Sequence, residues 1–290
     1  MIGKAEVLVE ALPYIQRFAG KTVVIKVGGS TLGYDLNGIV RDIVLLKAIG
    51  LKIVVVHGGG KEIDQLLERL GLTSRFVDGL RYTDPPVMEA VEMVLIGRLN
   101  PQLVGLLQQN GDSAIGLSGV DGGLLRVAAA RGGALGLVGT VIGVNSEPLH
   151  VALAGGFTPV VATVGLGPDV QHFNVNADEA AGALAAALHA EKLILLTDVP
   201  GLMDASGQVL SAVGRHQVAD MIASGDISGG MLPKVAACLH AVEGGARRAH
   251  MIDGRIPHAL LLEIFTTRGI GTMMADEAEI TPEEWAETMV

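Results

Sequence analysis

Two strand-forming runs, Thr22-Val23-Val24-Ile25-Lys26-Val27 and Leu51-Lys52-Ile53-Val54-Val55-Val56, pass directly into glycines, Gly28-Gly29-Ser30 after the first and Gly58-Gly59-Gly60 after the second. The stretch between them, 35–50, is helix-length, which sets the two glycine turns side by side on one edge of a parallel sheet. Parallel neighbours need a crossover and cover on both faces, so these runs confine the chain to an α/β class. Ligands of open α/β sheets bind outside the carboxyl ends of the strands. Glycine there lets the backbone approach a charged group and leaves N–H groups free to donate. Lys26 adds a positive charge at the first strand's end, and a phosphate or carboxylate site is the expectation.

The composition supports a large core: 290 residues, 49% hydrophobic, mean hydropathy +0.46. One big domain or two tight lobes fit this, and disorder does not. Aliphatic residues with only 3% aromatics and 40 glycines suit strands covered on both faces and joined by tight turns. A net charge of -10 argues against nucleic acid as a partner, since the phosphate backbone needs a basic face. The single cysteine, Cys238, excludes an internal disulfide and a cysteine-only metal site, and its helical spacing with Val235, Leu239 and Val242 reads as core. Lys4, Glu6 and Glu10 break any signal-peptide pattern, and no apolar stretch reads as long enough to span a bilayer. The expectation is a cytoplasmic protein with no membrane partner.

Periodicity places an amphipathic helix over residues 3–19, with Ala5, Leu8, Val9, Leu12, Ile15 and Phe18 near one stripe. It either covers the sheet or packs on another subunit. Further helices are expected over 89–109, 177–190 and 233–243, and strands at 113–117, 158–164, 192–198 and 249–253. An acidic tail surrounds Trp285. The alternation predicts a three-layer α/β/α sandwich around a mainly parallel open sheet, with a weak division near Glu191.

Known phosphate signatures fail. Gly60-Lys61 is followed by Glu62 where a P-loop needs Ser or Thr, and 28–33 does not have the dinucleotide spacing. In an extended segment Asn174, Asn176 and Asp178 would share one space, where helix capping explains one of the three but not all. Gly229-Gly230 ahead of the helix expected over 233–243, with Lys234 in its first turn, resembles an anion site, the alternative being a solvated lysine. Arg81 could clamp a carboxylate with its planar fork or lie on the surface. His57 sits where a base might, yet a structural hydrogen bond from the glycine turn is the reading adopted. Asp198, at a strand end before Pro200-Gly201, is either a turn residue or a nucleotide contact.

Taken in order, Lys26-Val27-Gly28-Gly29, Val56-His57-Gly58-Gly59-Gly60, Gly79-Leu80-Arg81, Asn174-Val175-Asn176-Ala177-Asp178, Leu196-Thr197-Asp198-Val199-Pro200-Gly201 and Gly229-Gly230-Met231 with Lys234 resemble the amino-acid kinase family over nearly the whole chain. The resemblance implies ATP-dependent phosphorylation of the side-chain carboxylate of N-acetyl-L-glutamate, a step of arginine biosynthesis that yields an acyl phosphate. It implies Lys26 and Lys234 on either side of the transferring phosphoryl group, oriented by Asp178. Gly59, Gly60, Arg81, Asn174 and Asn176 would hold the amino acid. Gly28, Gly29, Asp198, Gly201, Leu202, Met203, Gly229, Gly230 and Met231 would hold ATP, with Mg²⁺ bound through phosphates and no metal held by protein side chains. Residues 1–20 would form an N-terminal extension, 21–190 a substrate and dimerisation lobe, and 191–290 a nucleotide and effector lobe. Tyr14, and Glu263 and Gly271 near the C-terminus, resemble an arginine-inhibited branch, implying an arginine site and a hexamer built as a trimer of dimers. Rival readings are a kinase of carrier-linked aminoadipate and a non-catalytic amino-acid sensor of the same fold.

Overall fold

The computed structural model of the chain describes residues 2–28, 35–204, 206–266 and 269–280. Gly29 and the tail around Trp285 lie outside the described residues. In chain order, helix α1 (Ile2–Phe18) leads to β1 (Thr22–Val27), α2 (Leu36–Ala48), β2 (Lys52–His57), α3 (Gly60–Arg69) and a hairpin of β3 (Phe76–Val77) and β4 (Leu80–Arg81). There follow α4 (Pro85–Val94), a π-helical turn (Leu95–Leu99), α5 (Asn100–Gln109), β5 (Ala114–Gly119), β6 (Leu125–Ala129), β7 (Val138–Val144), α6 (Glu147–Ala154), β8 (Thr158–Leu166) and β9 (His172–Val175). The remaining elements are α7 (Ala177–Ala187), β10 (Lys192–Thr197), β11 (Ala212–Gly214), α8 (Arg215–Ser224), α9 (Met231–Glu243), β12 (Ala249–Asp253), α10 (Ala259–Phe265) and β13 (Thr272–Ala275).

One sheet of eleven strands runs through the described residues, with the parallel order β12-β10-β1-β2-β8-β5 at its centre. β13 and β11 extend it past β12, and the antiparallel pair β6 and β7 joins on the other side with β9. Val27 stands opposite His57 and Leu196, and His57 opposite Ala162. The carboxyl ends of β10, β1 and β2 therefore finish nearly level, while β8 runs on to Leu166, and Gly28 and the Gly58-Gly59-Gly60 turn follow directly on β1 and β2.

The two-residue period of a strand divides the core between two faces. Val24, Val54 and Val56 pack with Ala180, Ala181 and Leu184 of α7 and with Val235 and Cys238 of α9. Val23, Ile25, Val27 and Val55 pack on the other face with Ile39, Ile43 and Leu46 of α2, Leu103 of α5 and Leu260 of α10. Lys26 shares the face of Val24, under α7, and His57 shares the face of Val55, against α5. The alanine-rich α7 lies close to α9: a Cβ on Gly182 would stand 2.5 Å from the Ala237 carbonyl oxygen, and one on Gly244 would stand 2.4 Å from the Ala186 Cβ. Cys238 is fully buried in this contact, and burial pushes its thiol pKa up, as suits a packing residue.

One expectation needs correction. The helical run Pro85–Gln109, 25 residues with the π turn at its middle, is long and apolar enough by length and composition to cross a membrane. Of its apolar window, 44% is buried inside the protein, where Val87, Val91, Val94, Leu95, Leu103 and Leu107 enter the core. The sequence reading fell short because Glu89, Glu92 and Arg98 interrupt the apolar run, although they occupy a helix whose other side is core.

Candidate active site

Above these strand ends, Asp178 in the first turn of α7 pairs with two lysines. Lys26 Nζ lies 2.8 Å from Oδ1 and Lys234 Nζ 2.9 Å from Oδ2. Asp178 and Lys26 are nearly buried, 5% and 7% exposed, while the Lys234 side chain keeps 22% of its surface. Burial alone would raise the Asp178 pKa, but the charges and hydrogen bonds of Lys26 and Lys234 outweigh it and hold the carboxyl at about 2. Asn176 caps the same helix, its Oδ1 accepting from the N–H groups of Asp178 at 2.9 Å and Glu179 at 3.1 Å. Two ammonium groups on one carboxylate leave a net positive charge at the helix N-terminus, a setting that favours an incoming anion.

A cavity of about 200 Å³ opens here, bounded by Lys26, Gly58, Gly59, Gly60, Arg81, Asn174, Asn176 and Asp178, with Ile63, Phe76, Leu80 and Leu95 as apolar wall. Residues chosen from distant parts of the sequence thus share one space. Arg81, at the end of the hairpin, is braced from below: its guanidinium donates to Asp64 and Ser74 and, at 3.0 Å, to the Gly60 carbonyl, and it lies 4.7 Å over the Phe76 ring. The Arg81 hydrogen bond also holds the Asp64 carboxyl below its usual pKa. Asn174 donates from Nδ2 to Thr83 Oγ1 at 3.1 Å, and Thr83 Oγ1 donates to the Arg81 carbonyl at 2.8 Å, which ties β9 to the hairpin.

His57 does not line this cavity. It is fully buried, its Nδ1 lies 3.3 Å from the Gly58 carbonyl, and burial lowers its pKa to about 4. A neutral, enclosed ring is the structural hydrogen-bonding residue that its place before the glycines suggested. The sequence reading missed its partner, Asn100, whose Nδ2 lies 3.2 Å from His57 Nε2. Pro101, directly after it inside a helical pattern, was the available signal.

The residues assigned to ATP are more dispersed. Gly28 directly follows β1 and is buried. Asp198 is exposed, and Met203 forms an isolated bridge with Val209. Gly201, at φ +153, has no room for a Cβ, which would stand 2.5 Å from Thr272 Oγ1. Leu202 is a core residue, 2% exposed, whose N–H donates to Thr272 Oγ1 and whose carbonyl accepts from Leu210. Gly229 and Gly230 precede α9 with open space around them, and line a larger cleft, about 810 Å³, between the hairpin tip and α9. Met231, at the start of α9, is partly buried against the main core. No group of three or more His, Cys, Asp or Glu side chains placed to hold a metal occurs among the described residues.

A separate cavity of about 170 Å³ brings Tyr14 of α1 together with Glu263, Gly271, Lys192, Arg248 and His250. Glu263 is buried. Lys192 Nζ at 2.9 Å and His250 Nδ1 at 2.7 Å meet its Oε1, and the Ile270 N–H donates to Oε2 at 3.2 Å. Burial would raise its pKa, but His250 and Lys192 pull it well below the usual carboxylate range. A Cβ on Gly271 would stand 2.0 Å from the Met251 carbonyl oxygen, so the close approach to β12 requires glycine.

A sequence profile of the amino acid kinase family matches residues 21–253. The acetylglutamate kinase of Thermoanaerobacter pseudethanolicus is 51% identical over 283 residues, covering 95% of this chain and 94% of its own. The acetylglutamate kinase of Stutzerimonas stutzeri is 50% identical over 286 residues, covering 94% and 95%. Among solved structures, the N-acetylglutamate synthase of Neisseria gonorrhoeae, complexed with coenzyme A and N-acetyl-glutamate, superposes with a TM-score of 0.84 at 25% identity. That match covers 94% of this chain and 63% of the longer synthase.

Proposed function

The chain belongs to the amino acid kinase family and is an enzyme, a kinase, and from that premise we propose that it transfers the γ-phosphoryl group of ATP to the side-chain carboxylate of N-acetyl-L-glutamate. The observation that carries the proposal is the joining of Lys26 and Lys234, from separate elements, on Asp178 at the wall of a cavity that also holds Arg81 and the glycine turn. The relatives named acetylglutamate kinase at about half identity support the choice of acceptor.

In this reading a carboxylate oxygen attacks the γ-phosphorus in line, the bond to the β–γ bridging oxygen breaks, and ADP departs with that electron pair. The carboxylate is already ionised, so no general base is required, and the enclosed His57 is not called upon. Phosphoryl transfer asks mainly for positioning and charge neutralisation. Lys26 and Lys234 supply the charge from two sides, and Asp178 holds both ammonium groups in place. N–H groups of Gly59 and Gly60 would hold the reacting carboxylate, Arg81 the α-carboxylate, and the amides of Asn174 and Asn176 the remaining polar atoms. Gly28, Gly29, Asp198, Gly201, Leu202, Met203, Gly229, Gly230 and Met231 would surround ATP, Leu202 by shaping the loop from within the core. Mg²⁺ would enter on phosphate oxygens and neutralise part of their charge.

The same proposal extends to a step of arginine biosynthesis in the cytoplasm, to lobes divided near residue 191, and to inhibition by arginine. The cavity that joins Tyr14, Glu263 and Gly271 supports an arginine site, because a buried carboxylate suits a guanidinium or ammonium group. A hexamer built as a trimer of dimers through α1 would place that helix at both the assembly and the effector cavity.

Hydroxylamine trapping of the acyl phosphate, comparing acetylglutamate, glutamate, aspartate and aminoadipate, tests the chemistry. Absence of a hydroxamate from acetylglutamate overturns it, product only from carrier-linked aminoadipate favours the related kinase, and arginine binding without any product favours a sensor. Unchanged mass and unchanged arginine response after deletion of residues 1–20 would remove the assembly and effector assignments.

A further inference from the structure

We propose that Asn100, acting through the ring of His57, is a positioning residue that sets the backbone of Gly58, Gly59 and Gly60, on which the acceptor carboxylate is held. The inference rests on the reading of that turn as the carboxylate's cradle, and it adds residues that touch no substrate.

Its starting point is a break in a helix. Pro101 has no N–H to give the carbonyl four residues back, and its ring crowds that carbonyl. The helix widens here into a π turn, with the Asn100 N–H donating to the Leu95 carbonyl. Two consequences reach the glycine turn. Leu95 and Leu99, within the widened turn, press on Gly59 so closely that a Cβ there would stand 2.9 and 2.4 Å from their methyl carbons. Asn100, at the end of the turn, points its amide into the sheet.

The amide is locked. Its Nδ2 lies 2.8 Å from the Val160 carbonyl and 3.2 Å from the Leu117 carbonyl, two acceptors that fix which amide atom is nitrogen, and 3.2 Å from His57 Nε2, which shares one of its two hydrogens. Its Oδ1 lies over Gly116, where a Cβ would stand 2.0 Å away. With Nε2 accepting from Asn100, His57 Nδ1 carries the hydrogen and meets the Gly58 carbonyl at 3.3 Å. Thr163 Oγ1 donates to the His57 carbonyl at 3.4 Å on the sheet side. One chain of contacts thus runs from the helix break to the orientation of the first peptide in the glycine turn.

The test is a kinetic cycle with Asn100→Ala, Gly116→Ala and the double variant. Asn100→Ala should raise the KM for acetylglutamate about tenfold, the loss expected for one buried hydrogen-bond link, with less than about a twofold change in the KM for ATP. Gly116→Ala should raise it similarly by displacing the amide, and should add nothing in the Asn100→Ala background. His57→Gln, whose side-chain oxygen can accept from Asn100, should recover part of the loss seen in His57→Ala. Hydrogen exchange of the 56–66 segment reads the turn without substrate and should quicken in Asn100→Ala. A lowered Tm with both KM values and that exchange unchanged would overturn the proposal, as would additive effects of Asn100→Ala and Gly116→Ala. Wild-type protein that forms no acetylglutamyl hydroxamate would instead overturn the catalytic reading, leaving the exchange experiment to decide the positioning of the turn.

Discussion

Replacing Asp178 by Asn keeps the shape of the side chain and removes the charge that two lysines share. The neutral amide stands in for a protonated carboxyl, so the cost follows from the displaced titration. The pKa falls from 3.8 to about 2 on folding, which at 1.36 kcal/mol per pH unit gives about 2 kcal/mol of stability carried by the charge. Because the folded value is the lower one, this contribution is present above pH 3.8 and is lost as the pH falls toward 2. Asp178→Asn should therefore lower stability near neutrality by about 2 kcal/mol, roughly 3–4 °C in Tm for a chain of 290 residues. Lys26, nearly buried, would then lose the carboxylate it pairs with, and Lys234 would be free to swing toward solvent. With the lysines no longer aligned, kcat should drop by about a hundredfold or more, the scale of losing preorganised charge at a transition state. Urea unfolding and hydroxamate formation, measured on one preparation, read both effects. Unchanged stability would show that the lysines do not depend on the carboxylate, and lost stability with unchanged kcat would refute its orienting role.

Lys234→Ala should lower kcat about a hundredfold with little loss of stability, since that side chain is partly exposed, and a kcat within threefold of wild type would remove it from the transfer step. Arg81→Ala should chiefly raise the KM for acetylglutamate, by about tenfold, while also freeing the Gly60 carbonyl and Asp64; an unchanged KM refutes the clamp. His57 titrates at about 4 in the folded chain against 6.5 unfolded, so its contribution is whole above pH 6.5 and is lost as the pH falls toward 4, about 3 kcal/mol in all. Stability measured from pH 5 to 6.5 should thus slope more steeply in wild type than in His57→Asn, and equal slopes would count against a buried neutral ring. Gly182→Ala forces a methyl against the Ala237 carbonyl, so it should cost about 1–3 kcal/mol and reduce kcat by shifting α9 with Lys234; a neutral result in both measurements would show that α7 and α9 can part without consequence.

The elements with a clear period were legible. β1, α2, β2, β10 and β12 fall within a residue or two of the reading from apolar runs and glycines. The β3–β4 hairpin, β6 and β7 were not read, because β3 and β4 have two residues each, β7 carries Gly139 and Gly143 inside it, and β6 and β7 join the large sheet through β8 and β9, about 35–40 residues further along. The interruption of the helix over 85–109 could have been seen at Pro101, yet its use in directing Asn100 to His57 depends on β5 and β8 lying alongside.

By itself the sequence determined the α/β class, the two glycine turns at one sheet edge and the residue types of an anion site, because strand period, helix length and glycine spacing are local properties. It also indicated that Lys26, Asp178 and Lys234 belong together, through resemblance of the motifs that contain them. Only the tertiary structure decided that one carboxylate spans both ammonium groups, that Arg81 is braced by Asp64, Ser74 and Gly60, and that His57 is enclosed rather than catalytic. The first of these depends on how closely α7 lies over β1 and against α9, a distance set by alanines and glycines packing across elements far apart in the chain, and the other two on how α3, the hairpin and α5 close around the second glycine turn.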